Sequence, residues 1–138
     1  MTHVFTYGSL MFDTVWSRVV ADSYDRSEAI LQGYDRKGVL GEVYPVIVPS
    51  SASSRVEGIV YRDVSLADLA RLDQFEGEYY FRKTALVVTE EMETLAAEIY
   101  VLKEEYYTII SPREWDLDYF STTGIHYFIH KHMTTDEH

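Results

Sequence analysis

The stretch Val4-Phe5-Thr6-Tyr7-Gly8-Ser9-Leu10 decides the reading of this chain. Val4, Phe5, Thr6 and Tyr7 read as a short strand, which Gly8-Ser9-Leu10 then turns. Phe12, Val15, Trp16, Val19 and Val20 follow at the i, i+3, i+4, i+7, i+8 spacing of a helix with one apolar face. Such a strand–turn–helix leaves backbone N–H groups without partners where the helix begins. Those groups suit a carboxylate or a developing oxyanion. A proton-transfer group for such a site stands in Leu72-Asp73-Gln74-Phe75-Glu76-Gly77.

Outward from this stretch, segments 29–34, 43–48, 56–61, 81–89 and 95–102 are rich in β-branched and aromatic residues. With 4–7 they predict about six strands. Gly58 inside one of them predicts a bulge or a close backbone approach. Pro49 and the serines of 50–54 predict a loop. Ser65 and Asp68 form an S-x-x-D capping box that opens a helix, with Leu66, Leu69 and Ala70 expected on its buried side. That helix is expected to stop near Phe75, with Gly77 behind it. From about residue 112 the tail reads as mostly helical, broken in two at Gly124. Strands dominate without regular βαβ alternation, so the expected fold is α+β with a closed or strongly curved mixed sheet.

The 138 residues favour one domain, spanning 1–138, with a real core. Lys plus Arg number 12 against 23 Asp plus Glu, a net charge of −11. A field of that sign repels nucleic-acid phosphates and anionic lipid, and no basic stripe offsets it. No apolar run approaches the roughly 20 residues of a membrane-spanning helix. Cysteine is absent, so disulfides and thiol catalysis are excluded. A cytoplasmic protein with neither nucleic-acid nor membrane partners is expected. Tyrosine is frequent, at 12 residues, and its apolar face and polar tip suit pocket walls as well as strand packing.

Glu76 is the leading candidate for chemistry. It sits at the predicted C-terminus of the Ser65 helix, where the dipole disfavours a carboxylate. Asp73 and Glu78 add like charge, and Phe75 offers a desolvating wall. All of these push its pKa upward, towards the range of an efficient base. Ser9 is no nucleophile by motif, because Tyr7-Gly8-Ser9-Leu10-Met11 lacks the second glycine of a G-x-S-x-G elbow. His126 and His130 lie four apart, but without H-E-x-x-H they read as a surface set. Tyr80 and Arg82 share one face of a strand, with Arg82 open to either a pocket or a surface ion pair.

Together these segments resemble the gamma-glutamylcyclotransferase superfamily in its small AIG2-like branch. The resemblance rests on Val4 to Leu10, Tyr44-Pro45-Val46-Ile47, Val56-Glu57-Gly58-Ile59-Val60-Tyr61, the Leu72 to Gly77 motif, and Tyr80-Phe81-Arg82, in that order. It implies a small six-stranded mixed β-barrel flanked by helices. It implies Glu76 as the active-site glutamate, with Tyr7, Gly8, Ser9 and Leu10 holding a glutamyl moiety through their backbone. Tyr80 and Arg82 are added as expected substrate contacts. The reaction implied is intramolecular aminolysis of a small γ-glutamyl amine or peptide, releasing 5-oxoproline, with no metal or organic cofactor required. The alternative is a non-catalytic small-molecule-binding module of the same fold.

Overall fold

The computed structural model describes residues 2–133. Strand β1 (Thr2–Thr6) runs into a single 3-10 turn (Ser9–Met11) and then helix α1 (Asp13–Val19). The expected stripe faces inward: Val15, Trp16 and Val20 are buried, and Phe12 and Val19 pack against them. Strands β2 (Arg26–Gln32), β3 (Tyr34–Gly38), β4 (Pro45–Pro49) and β5 (Arg55–Val64) follow. Next come helix α2 (Leu66–Glu76) and strands β6 (Tyr80–Thr89) and β7 (Thr94–Leu102).

Five of these strands close a barrel in the order β1-β5-β2-β6-β7. Four of its seams are antiparallel: β1 with β5, β5 with β2, β2 with β6 and β6 with β7. The barrel shuts where β1 meets β7 in parallel, His3 opposite Ala97 and Val4 opposite Glu98. Phe5, Leu31, Val56, Val60, Val87 and Ile99 fill its interior. The fold is α+β around a closed mixed barrel, with one correction to the strand count. The strand expected at 43–48 is not in the barrel. It forms β4, which pairs with β3 as a separate two-stranded sheet. The strand expected at 29–34 is in fact two, because Gly33 at φ 89 turns the chain between β2 and β3. Gly58 stays in register opposite Ala29, and a side chain there would collide with the Thr6 carbonyl and the Phe5 ring. The close approach is therefore the reason for that glycine.

Helix α2 begins as expected, with the Ser65 hydroxyl accepting the Asp68 N–H at 3.1 Å. Its buried face differs: Leu66 and Ala70 are exposed, while Asp68, Leu69 and Leu72 are buried. Asp68 does not return to Ser65 to complete a box. It accepts instead from the Ala21 and Asp22 N–H groups and the Tyr24 hydroxyl. After β7 the tail forms α3 (Leu117–Tyr119), a π-helical turn (Phe120–Gly124) and α4 (Ile125–Met133) without a gap. Gly124 does not break this helix. It lets Val43 pack within contact distance of the backbone. Among the described residues no helix is long and apolar enough to cross a membrane.

Candidate active site

The β1 turn and the end of α2 face each other across a cavity of about 340 Å³. That is within the range of small-ligand pockets. Tyr7, Gly8, Ser9 and Leu10 form one wall. Phe75, Glu76 and Gly77 form the facing part, and Tyr80 and Tyr100 line it from β6 and β7. The sequence missed the rest of the enclosure: Tyr44 and Pro45 from the start of β4, and Phe128 and His132 from α4. Helical spacing marked Phe128 as apolar but carried no sign of what it would cover. Five of the 12 tyrosines, Tyr7, Tyr44, Tyr79, Tyr80 and Tyr100, line the cavity, with Tyr7 and Tyr100 buried in the core behind it.

The turn is pinned from outside by side-chain donors. Arg36 Nη1 donates to the Tyr7 carbonyl at 2.9 Å, the Tyr61 hydroxyl to the Leu10 carbonyl at 2.9 Å, and Arg26 Nη2 to the Met11 carbonyl at 3.0 Å. Tyr61 is itself stacked on Trp16 with ring centroids 3.5 Å apart. In a trans peptide the carbonyl and the next N–H point opposite ways. Anchoring the Tyr7 carbonyl therefore fixes the direction of the Gly8 N–H. Within the turn, Met11 and Phe12 donate to the Gly8 and Ser9 carbonyls. Gly8 is required by packing: a Cβ there would lie 2.6 Å from the Pro45 ring.

Glu76 is the last residue of α2, and Gly77 ends the helix at φ 81 with its N–H on the Asp73 carbonyl. The carboxyl is partly covered and lines the cavity. Burial, and secondarily the like charge of Asp73, push its pKa up to about 8. Glu78, expected to add to this, is not among the causes. Tyr7 donates its hydroxyl to the Tyr100 carbonyl at 2.7 Å, and its pKa is raised by burial and by Glu76. Burial likewise raises Tyr80. Both hydroxyls therefore stay protonated near neutral pH, that of Tyr7 committed to the Tyr100 carbonyl and that of Tyr80 on a residue that lines the cavity.

Arg82 departs from its expected place. It does not line the cavity. Its Nε meets Asp73 at 2.8 Å and its Nη1 meets Glu98 at 2.6 Å. Two-residue spacing keeps Arg82 on the strand face of Tyr80, as alternation requires, but its reach carries the charge to Asp73. Among the described residues no group of three His, Cys, Asp or Glu side chains is placed to share a metal ion. His126 is exposed, and His132 turns to the cavity rim near Glu42.

A closed mixed barrel flanked by helices is a gamma-glutamylcyclotransferase-like architecture. The family described as "Gamma-glutamyl cyclotransferase, AIG2-like" matches residues 4–117, and the chain belongs to it. Protein AIG2 C of Arabidopsis thaliana is 37% identical over 120 residues, covering 84% of this chain and 70% of that protein. AIG2-like protein C of the same plant is 35% identical over 103 residues, covering 74% of this chain. The chain spans 59% of that relative's length. A solution structure from Arabidopsis thaliana matches with a TM-score of 0.72 at 31% identity, covering 99% of this chain and 82% of that one. A structure named gamma-glutamyl cyclotransferase matches in fold, with a TM-score of 0.64 at 19% identity, over 74% of this chain and 66% of that one.

Proposed function

We propose that the protein is a gamma-glutamyl cyclotransferase that releases 5-oxoproline from a small γ-glutamyl amine or peptide. The observation that carries this reading is Glu76, a carboxyl with a pKa near 8 inside a cavity whose other wall is the Gly8 turn. The substrate's α-ammonium is not a nucleophile until it loses a proton. An α-amine has an ordinary pKa of about 8, so transfer to an unperturbed carboxylate would be uphill by about 5 kcal/mol. Transfer to Glu76 is close to balanced, the condition for efficient acid–base catalysis.

The freed amine nitrogen attacks its own γ-carbonyl carbon. A five-membered ring closes, and the carbon–nitrogen bond to the leaving amine breaks as Glu76 returns the proton to that nitrogen. Holding the chain folded for ring closure removes much of the entropic barrier. The developing oxyanion and the α-carboxylate both need donors. Among the described residues no lysine or arginine lines the cavity. The Gly8–Leu10 amides and the Tyr44 and Tyr80 hydroxyls are left to serve, since those of Tyr7 and Tyr100 already donate to the Tyr100 carbonyl and to Asp73.

The test is a panel of γ-glutamyl amines, dipeptides and larger acylated amines, with 5-oxoproline followed by mass spectrometry. Product from at least one class supports the reading. Tight binding across the panel with no product would reject turnover and leave a binding module.

A further inference from the structure

The last turn of α2 is tied to the barrel through Asp73. Asp73 lies three residues before Glu76, so the two side chains are neighbours on the helix surface. Its Oδ1 accepts from Arg82 Nε on β6 at 2.8 Å and from the Tyr100 hydroxyl on β7 at 2.7 Å. Arg82 and Tyr100 are directly opposite in the β6–β7 pairing. One cross-strand pair therefore supplies both donors to one oxygen. The Tyr100 carbonyl in turn accepts the Tyr7 hydroxyl, which links this network to the residue before the glycine turn. On the outer side Glu98 accepts from Arg82 and from the Thr84 hydroxyl.

We propose that Asp73, held by Arg82 and Tyr100, is a positioning residue that places a fixed negative charge beside the Glu76 carboxyl, with Arg82 as the counter-charge that limits the effect. This rests on Glu76 being the acid–base group of the proposed reaction. The other groups facing Glu76 are mostly neutral. Tyr7 from β1, Tyr44 ahead of β4, Tyr80 from β6 and Tyr100 from β7 are all held protonated by burial. His132 from α4 is beside Glu42, and Glu78 is exposed. Asp73 is the full negative charge within one helical turn. The Arg82–Asp73 pair is itself well exposed, with side chains 32% and 42% accessible. Pairs of that kind contribute little to stability. Its weight falls on Glu76 rather than on the fold.

The experiment is a carbon-13 NMR titration of the Glu76 carboxyl in the wild-type protein, in Asp73→Asn and in Arg82→Gln. Asparagine keeps an acceptor oxygen for both donors while losing the charge. Its midpoint is expected to fall by about one pH unit, and that of Arg82→Gln to rise. Opposite displacements from two partners of one ion pair do not arise from a shared loosening of the fold. An unmoved midpoint in Asp73→Asn, or displacements of the same sign, would overturn the proposal. If Asp73→Asn does not fold, Arg82→Gln decides alone, and a midpoint unmoved or lowered rejects the idea. The titration needs no turnover. Absence of 5-oxoproline from the wild type would defeat the functional reading and leave this result standing.

Discussion

Helix α2 carries a carboxyl group withdrawn from solvent at each end, Asp68 fully buried and Glu76 partly covered inside the cavity, and the two have opposite fates. Asp68, in the first turn, accepts from two backbone N–H groups, from the Tyr24 hydroxyl and from Arg71 at 2.6 Å. Burial works against its charge, but these donors, led by Tyr24, pull its pKa down to about 2. Glu76, in the last turn, has burial and Asp73 acting in the same direction, and its pKa rises to about 8. The helix dipole favours a negative charge at the first position and disfavours it at the second. The contrast shows that burial alone does not make a carboxyl reactive. Supplying donors turns it into a structural clamp, and withholding them leaves it poised to exchange a proton.

The strongest way to test the contrast is through activity. Glu76→Gln keeps the shape of the side chain and loses the proton exchange. Formation of 5-oxoproline is expected to drop by about 10²–10⁴-fold, the usual range for a lost acid–base group. Circular dichroism is expected to stay unchanged. Turnover near the wild-type level in this variant would remove Glu76 from the mechanism.

The second break acts on the clamp. Asp68→Ala leaves the 21–22 turn, Tyr24 and Arg71 without their common acceptor. Losing one side of a buried charged network costs about 3–5 kcal/mol, so chemical denaturation is expected to show a marked loss of stability. Activity per folded molecule is expected to be retained, since Asp68 does not line the cavity.

The two carboxyl groups also predict opposite pH dependence of stability. Asp68 has a folded pKa below its ordinary 3.8, so its contribution is present above that value and is lost as pH falls towards about 2. Glu76 has a folded pKa above its ordinary 4.5. Its contribution is present below that value and is lost as pH rises towards about 8. Urea denaturation of Glu76→Gln at several pH values is expected to show this upper slope removed, with the variant more stable than wild type above pH ~8. An identical slope in the two proteins would mean that Glu76 titrates normally.

Much of this arrangement was legible in the sequence because it is local. The Gly8 turn follows from strand, glycine and helix stripe in succession. The like charge of Asp73 beside Glu76 is local too, although burial, the larger cause of the raised pKa, is completed by residues distant in the chain. What was not legible depends on partners distant in the chain. Pattern marked 43–48 as a strand but did not say which strand it would pair with. Its partner, Tyr34–Gly38, carries Asp35, Arg36 and Lys37 and has no strand signature at all. Arg36 consequently escaped notice, although its guanidinium holds the Tyr7 carbonyl. The sequence places Leu66 and Ala70 on the inner face of α2 and Asp68 in a capping box, whereas Asp68 and Leu72 take the buried positions beside Leu69. A carboxylate with four donors is easily buried, and the sequence does not display donors supplied by residues 21–24. The cavity wall from α4 was hidden for the same reason.

The smallest effects sharpen the contrast most, because they separate the two ends of the helix at similar energetic cost. Ser65→Ala removes the hydroxyl that accepts the Asp68 N–H, a cap worth about 1 kcal/mol. Gly77→Ala forces a side chain onto φ 81 and ψ −164, a conformation that costs non-glycine residues of order 1–3 kcal/mol. Both variants are expected to fold with modestly lowered thermal midpoints. Their kinetics are expected to differ. Ser65→Ala lies a full helix length from Glu76 and leaves the pH–rate profile in place. Gly77→Ala shifts the backbone that directly follows Glu76, so kcat falls and the acid limb moves. Equal kinetic effects from the two substitutions would mean that activity tracks the stability of the whole helix rather than the geometry of its last turn.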